Sequence, residues 1–274
     1  MFSAATQSSR ARTTYEADGY FLSPAPVLPA NIIQRAIDGM DEVRAGRYDT
    51  GIPPEPSAWN PGDDPRKLCK IEMPQVASRA IHDLLTHPAL GALAAELSGA
   101  RMVQVWWVQL LYKPASKPGE ATSTTIGWHQ DRTYWQEWAD DSELFTAWVA
   151  LSDVTADAGP MRFVRGSHRW GVLTESDFNA QDHDAQLAKI QLPKNVAWHE
   201  VPAILPPGGV SVHDDLTIHG SSPNVSTAPR RSFAIHLRTE KSAPRPPSQV
   251  NPRNFNKTRF VEDPRYCPVI HRAG

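Results

Sequence analysis

Cysteine is scarce in this chain of 274 residues: only Cys69 and Cys267 occur, far apart. That excludes a disulfide framework and any cysteine-rich zinc site, and it points to a reducing cytoplasm. No stretch approaches the roughly 20 apolar residues that a helix needs to cross a bilayer. Neither sign of charge dominates, with 28 Lys and Arg against 30 Asp and Glu. The chain as a whole therefore has no electrostatic pull on nucleic acid or an anionic membrane surface, although a local patch is not excluded. The opening residues Met1 to Arg10 lack a basic region followed by an apolar core, so no secretory leader is expected. The final Arg272-Ala273-Gly274 is not a peroxisomal address. Internal repeats and strand–helix–strand alternation are also missing, which argues against a doubly wound parallel sheet.

Proline and tryptophan, by contrast, are plentiful, at 25 and 9 residues. The prolines cluster in stretches such as Ile52-Pro53-Pro54-Glu55-Pro56 and Ser242 to Pro247, which can be neither helix interior nor central strand. Short elements joined by stiff loops follow. Ile32, Ile33, Ala36, Ile37 and Met40 fall at helical spacing after Pro29. A second helical pattern runs from Val76 to Leu85 and resumes after Pro88 to stop at Ser98-Gly99. From Arg101 the character changes. Met102 to Tyr112 is rich in β-branched and aromatic residues, as are Phe145 to Leu151, Met161 to Val164, Val196 to Leu205, Val210 to His213 and Ser232 to Arg238. Turns rich in Gly and Pro separate them. The expected architecture is one domain, mainly β, in which helices buttress a double-sheet barrel.

Gly127-Trp128-His129-Gln130-Asp131 carries the chemistry. On an extended segment, positions i and i+2 point the same way, so His129 and Asp131 can reach one metal ion. A second pair of this kind, His213 and Asp215, competes with it. The first is favoured because His219 and then Arg230 follow downstream. Two imidazoles and one carboxylate on one face of a metal form the facial triad of non-haem Fe(II) oxygenases, with positions left open for a bidentate 2-oxo acid and dioxygen. A guanidinium near it suits the far carboxylate of that cosubstrate. Arg231 competes with Arg230, since the two point to opposite faces of a strand, and parity alone does not decide between them. His236 shares parity with Arg230 and is read as a satisfied core histidine. His168 is read as structural. Lys113, before Pro114, is expected to end its strand in solvent.

The sequence resembles the phytanoyl-CoA dioxygenases. The likeness begins at Tyr15-Glu16-Ala17-Asp18-Gly19-Tyr20-Phe21 and continues through Leu110-Leu111-Tyr112-Lys113-Pro114 and Trp128-His129-Gln130-Asp131. It extends over Ala147 to Leu151, Ala158-Gly159-Pro160-Met161 and Arg165-Gly166-Ser167-His168, and ends with His219 to Asn224 and Arg230. The resemblance implies a double-stranded β-helix, that is, a cupin-like jelly roll. Residues 1–100 would form a mainly helical buttress, 101–240 the jelly-roll core and 241–274 a C-terminal extension of a single domain. It implies Fe(II) held by His129, Asp131 and His219, with 2-oxoglutarate as cosubstrate. Arg230, eleven residues after His219, would hold the C5 carboxylate with help from Ser221. Trp148, Lys70 and Gln109 match positions that line the cosubstrate site. Related halogenases replace the carboxylate at the position of Asp131 with a small residue, so its presence here favours hydroxylation, with desaturation or ring rearrangement as variants. A non-catalytic metal-binding jelly roll and a zinc hydrolase are the readings from other classes.

The expected reaction consumes 2-oxoglutarate and dioxygen, releases succinate and CO2, and oxidises an aliphatic C–H bond of a small molecule. No nucleic acid or membrane partner is expected. Tyr134, Trp135 and Trp138 sit just after the first ligand pair and suggest a hydrophobic or ring-containing substrate. The segment 171–199 is long and polar, and reads as either a lid or a solvated insertion.

Overall fold

The computed structural model describes residues 4–116, 124–249 and 256–274. Residues 1–3 of the opening stretch, and 250–255 of the expected C-terminal extension, lie outside the described residues. In chain order the elements are α1 (Ala4–Asp18), β1 (Tyr20–Leu22), α2 (Ala30–Arg44), β2 (Cys69–Glu72), α3 (Arg79–Leu85), α4 (Pro88–Ser98), β3 (Met102–Lys113) and β4 (Ile126–His129). They continue as β5 (Leu144–Ala150), β6 (Met161–Val164), α5 (His183–Leu187), β7 (Glu200–Pro202), β8 (Val210–Asp214), β9 (His219–Ser221), β10 (Arg230–Thr239) and β11 (Val269–Arg272).

The helices form where the apolar spacing places them. Pro29 caps α2, and its buried stripe of Ile33, Ala36, Met40 and Val43 faces inward. In α4, Pro88 occupies the first turn, where its missing N–H costs nothing, and Gly99 ends the helix at a φ of 68°. Helix α1 has no such stripe in its sequence. It is held by contact with α4 and β1, through Ala11 and Tyr15 packed on the core. Among the described residues, no helix is long and apolar enough to cross a membrane.

The strands form two antiparallel sheets. A seven-stranded sheet runs β1-β8-β5-β10-β3-β11, with β2 also paired to β3, and a four-stranded sheet runs β4-β9-β6-β7. The sheets do not close into a barrel; they stack as the two layers of a jelly roll. Their shared interior holds Trp148, Ala150, Met161, Phe163 and Ala234. The other face of the large sheet packs on the helices through Val108, Leu110, Phe145, Val149, Phe233 and Ile235. Because both faces are covered, all seven residues of β5 are buried. Burying each aliphatic or aromatic side chain there stabilises the fold by roughly 1.5–3 kcal/mol.

Two expectations differ from the structure. The strand read over Val196 to Leu205 shrinks to β7, because Pro202 cannot donate to a ladder and ends it. Lys113 does not reach solvent: it is fully buried at the end of β3.

Candidate active site

His129 ends β4 and His219 opens β9, and the two are direct cross-strand partners in the register. Residues opposite each other on antiparallel strands project to the same side, so this pairing brings two imidazoles together across 90 residues of chain. Asp131 lies just past the strand end, where a short 3-10 turn begins. Its Oδ1 is 3.9 Å from His129 Nε2 and 3.8 Å from His219 Nε2. The ligating atoms of the three residues all lie within 4.8 Å of one another, and all three side chains are buried. Gln130, between the ligands, points the opposite way. Its amide donates to the carbonyls of Gly171 and Leu216 and accepts from Leu173 N–H.

Each imidazole is oriented from behind. His129 Nδ1 lies 2.8 Å from the Gly127 carbonyl and His219 Nδ1 lies 2.9 Å from that of Thr217. A carbonyl only accepts, so the proton sits on Nδ1 and the Nε2 lone pair faces the cavity. Burial lowers the pKa of His129, and it holds His219 well below the ordinary imidazole value with help from His129 and His213. Burial pushes Asp131 upward. The His213 contact and the imidazoles of His219 and His236 outweigh that and hold the carboxyl well below its ordinary range. Two neutral imidazoles and one carboxylate are the protonation states in which such groups bind a cation.

Asp131 is aimed as well. Its Oδ2 accepts a hydrogen bond from Thr146 Oγ1 at 2.8 Å and lies 3.3 Å from His213 Nε2, which leaves Oδ1 for a ligand. Thr146 also contacts His236 Nδ1 at 2.8 Å. Thr146, His213 and His236 lie in one row across β8, β5 and β10. The alternative pair of His213 and Asp215 does not form, because Asp215 turns away to Arg132 at 3.2 Å.

The triad lines a cavity of about 380 Å³. Segment 171–199 forms part of its wall. Gln186 in α5 clamps both backbone groups of Trp128, and Phe178 and Asn179 line the cavity. Gly127 permits that approach, since a Cβ there would lie 2.2 Å from the Asp177 carbonyl oxygen.

Comparison with known proteins agrees with this geometry. The family model for phytanoyl-CoA dioxygenase (PhyH) matches residues 15–232. The chain belongs to the phytanoyl-CoA dioxygenase family. It is 24% identical over 175 residues to a probable alpha-ketoglutarate-dependent hypophosphite dioxygenase of Stutzerimonas stutzeri, covering 64% of this chain and 58% of that protein. It is 28% identical over 199 residues to an ectoine dioxygenase of Bordetella parapertussis, covering 67% and 61%. The matches thus span about three fifths of these relatives' length. The alpha-ketoglutarate-dependent epimerase SnoN from nogalamycin biosynthesis superposes with a TM-score of 0.68 at 25% identity, covering 88% of this chain and 84% of that one. The carbocyclase SnoK of the same biosynthesis shares the fold, with a TM-score of 0.67 at 22% identity and 86% of each chain covered.

The other expected site residues divide into two groups. Arg230, Ser221, Trp148, Lys70 and Gln109 all line the same cavity as the triad. Arg230 is 2% exposed, and its guanidinium carbon is 5.3 Å from the Trp148 ring centre. Arg231 points to the helices instead, over Tyr112 and towards Asp41. Lys70 and Gln109 both engage Glu72, at 3.3 and 3.4 Å. Tyr134 and Trp135 line the cavity as well. Trp138 is not among the lining residues: it packs against Trp106 in a separate aromatic cluster, and an isolated bridge to Pro244 holds its backbone. Sequence reasoning missed Thr146, Glu72 and Phe178. Each lies on the cavity wall only because of strand register or loop packing.

Proposed function

We propose that this protein is a non-haem Fe(II)/2-oxoglutarate-dependent oxygenase acting on a small molecule. The reading rests on one observation: a buried His129/Asp131/His219 triad shares a cavity with Arg230, a buried cation that no carboxylate pairs among the described residues. The donor set fits a divalent iron, with two neutral nitrogens and one carboxylate oxygen on one face. When bound, iron and 2-oxoglutarate supply the oxidation of a substrate C–H bond by dioxygen, with release of succinate and CO2.

The protein's own part is placement. His129 and His219 present Nε2, and Asp131 presents Oδ1. Arg230 and Ser221 hold the C5 end of the cosubstrate, and Trp148 forms its wall. Lys70 and Gln109 line the cosubstrate site, each held by Glu72. Tyr134, Trp135 and Phe178 provide aromatic surface that excludes water and suits a hydrophobic or ring-containing substrate. Helices α2 to α4 buttress the sheet, so residues 1–274 act as one catalytic unit. Hydroxylation is the proposed outcome; desaturation or ring rearrangement are variants that product analysis separates. A purely structural metal site is disfavoured, since it needs no unpaired guanidinium facing it.

The test is anaerobic addition of 2-oxoglutarate to the Fe(II) protein. A visible metal-to-ligand charge-transfer band should form, and an Arg230→Ala variant should lose it at the same cosubstrate concentration. Absence of the band from the wild type overturns the reading. Succinate release across candidate substrates then finds the substrate.

A further inference from the structure

The cavity holds two lysines with different surroundings. Lys70 pairs with Glu72 at 3.3 Å, and the same carboxylate accepts from the Trp107 indole at 2.6 Å and from Gln109 at 3.4 Å. Lys257 reaches the cavity from the short 3-10 turn Lys257–Phe260 of the C-terminal extension. It is half-buried, its Nζ is 5.9 Å from the Trp107 ring centre, and among the described residues it has no ion pair. Buried Glu137 senses the ammonium without pairing with it: burial raises its carboxyl above the ordinary value, Lys257 opposes that, and Glu137 Oε1 has no hydrogen-bond partner.

Strand β10 measures where Lys257 stands. Arg230 opens the strand, and His236 comes six residues on, opposite Trp107. Six strand residues span about 20 Å. The triad stands at the His236 end, because Thr146 touches both Asp131 and His236. A five-carbon diacid that joins Arg230 to the triad ends there, and Lys257, over Trp107, stands past that end. Lys257 also lies outside residues 15–232, the part of the chain that the family model matches.

We propose that Lys257 is a substrate-binding residue and that the substrate is an organic acid. The substrate's carboxylate pairs with the Lys257 ammonium, and its hydrocarbon or ring portion lies against Tyr134 and Trp135, which line the same cavity. The inference deepens the oxygenase reading above and rests on it. An ammonium half-withdrawn from water and lacking a counter-charge gains from an anion that enters with the substrate. A single point charge without a guanidinium fork, near the acids Glu72 and Glu137, suits a singly charged carboxylate better than a doubly charged phosphate.

The test measures anaerobic binding by calorimetry to the Fe(II) protein loaded with 2-oxoglutarate. The probes are cyclohexanecarboxylate and 3-phenylpropanoate, each against its primary amide, which keeps the shape and removes the charge. The wild type should bind each acid about tenfold more tightly than its amide. Lys257→Met should lose that preference by weakening the acids alone, and Lys257→Arg should keep it. A wild type that binds acid and amide alike, or binds neither, overturns the inference. So does a preference that survives in Lys257→Met. Failure of both variants to fold overturns it too, since the ammonium would then be a structural partner of Glu137. The charge-transfer band with 2-oxoglutarate separates the two readings. Without the band the oxygenase reading fails; with the band but no preference for acids, only this inference does.

Discussion

The two faces of strand β10 divide the molecule's labour. Arg231, Phe233, Ile235 and Leu237 look towards the helices, and the last three join an aliphatic and aromatic core. Arg230, Ala234 and His236 look into the cavity. Adjacent residues therefore differ completely in what their loss does. The helix-facing side is non-directional: it excludes water and holds the sheet rigid. The cavity-facing side is directional, with its polar atoms aimed by cross-strand neighbours such as Thr146. The lesson is that the cavity can afford buried charge only because the opposite face supplies the stability.

Substitutions can break that comparison at either face. On the cavity side, Asp131→Ala removes the one carboxylate of the triad, and succinate formation should fall by at least about 100-fold in an end-point assay. Substantial retained turnover would mean another carboxylate serves. On the helix side, Phe233→Ala should destabilise the fold by about 3–5 kcal/mol in urea titration. The fraction that stays folded should still bind 2-oxoglutarate with wild-type affinity, and weakened binding there would show that the faces are coupled. Thr146→Val leaves the triad intact but removes one of the two contacts that aim Asp131 Oδ2, so Fe(II) affinity should drop about 10-fold by metal titration.

A pH series sharpens the contrast further. Burial lowers His236 from its ordinary 6.5 to about 3. The folded state thus keeps His236 neutral while the unfolded chain takes up a proton below 6.5. Its contribution is complete above that pH and is lost as pH falls from 6.5 towards 3. The metal-free His236→Gln variant should therefore show a shallower fall in melting temperature on acidification than the wild type. The smallest effect is expected at Arg231. Its partner Asp41 is 3.7 Å away and 46% exposed, so Arg231→Ala should change stability by no more than about 1 kcal/mol. Arg230, one residue earlier, should instead govern cosubstrate binding.

Much of this site was legible because its signals are local. His129 and Asp131 are two apart, and His219 heads a recognisable His-Gly-Ser run. Helices α2 and α4 were legible from apolar spacing and from Pro and Gly at their ends. Helix α1 and strands β1, β9 and β11 were not, since short or polar segments owe their conformation to partners far along the chain. Strand parity could not decide between Arg230 and Arg231, because β10 is buried on both faces, which erases alternation; the spacing from His219 favoured Arg230. Trp138 lies close to the ligands in sequence, yet the turn that follows Asp131 carries it into a different cluster.

By itself, the amino-acid sequence determined the donor types, their order and the mainly β architecture, because those depend on side-chain chemistry and short-range spacing. Register decided the rest. The pairing of His129 with His219, and of Lys113 with Arg230, exists only once strands distant in the chain align, and one residue of slippage would turn those side chains to the opposite face.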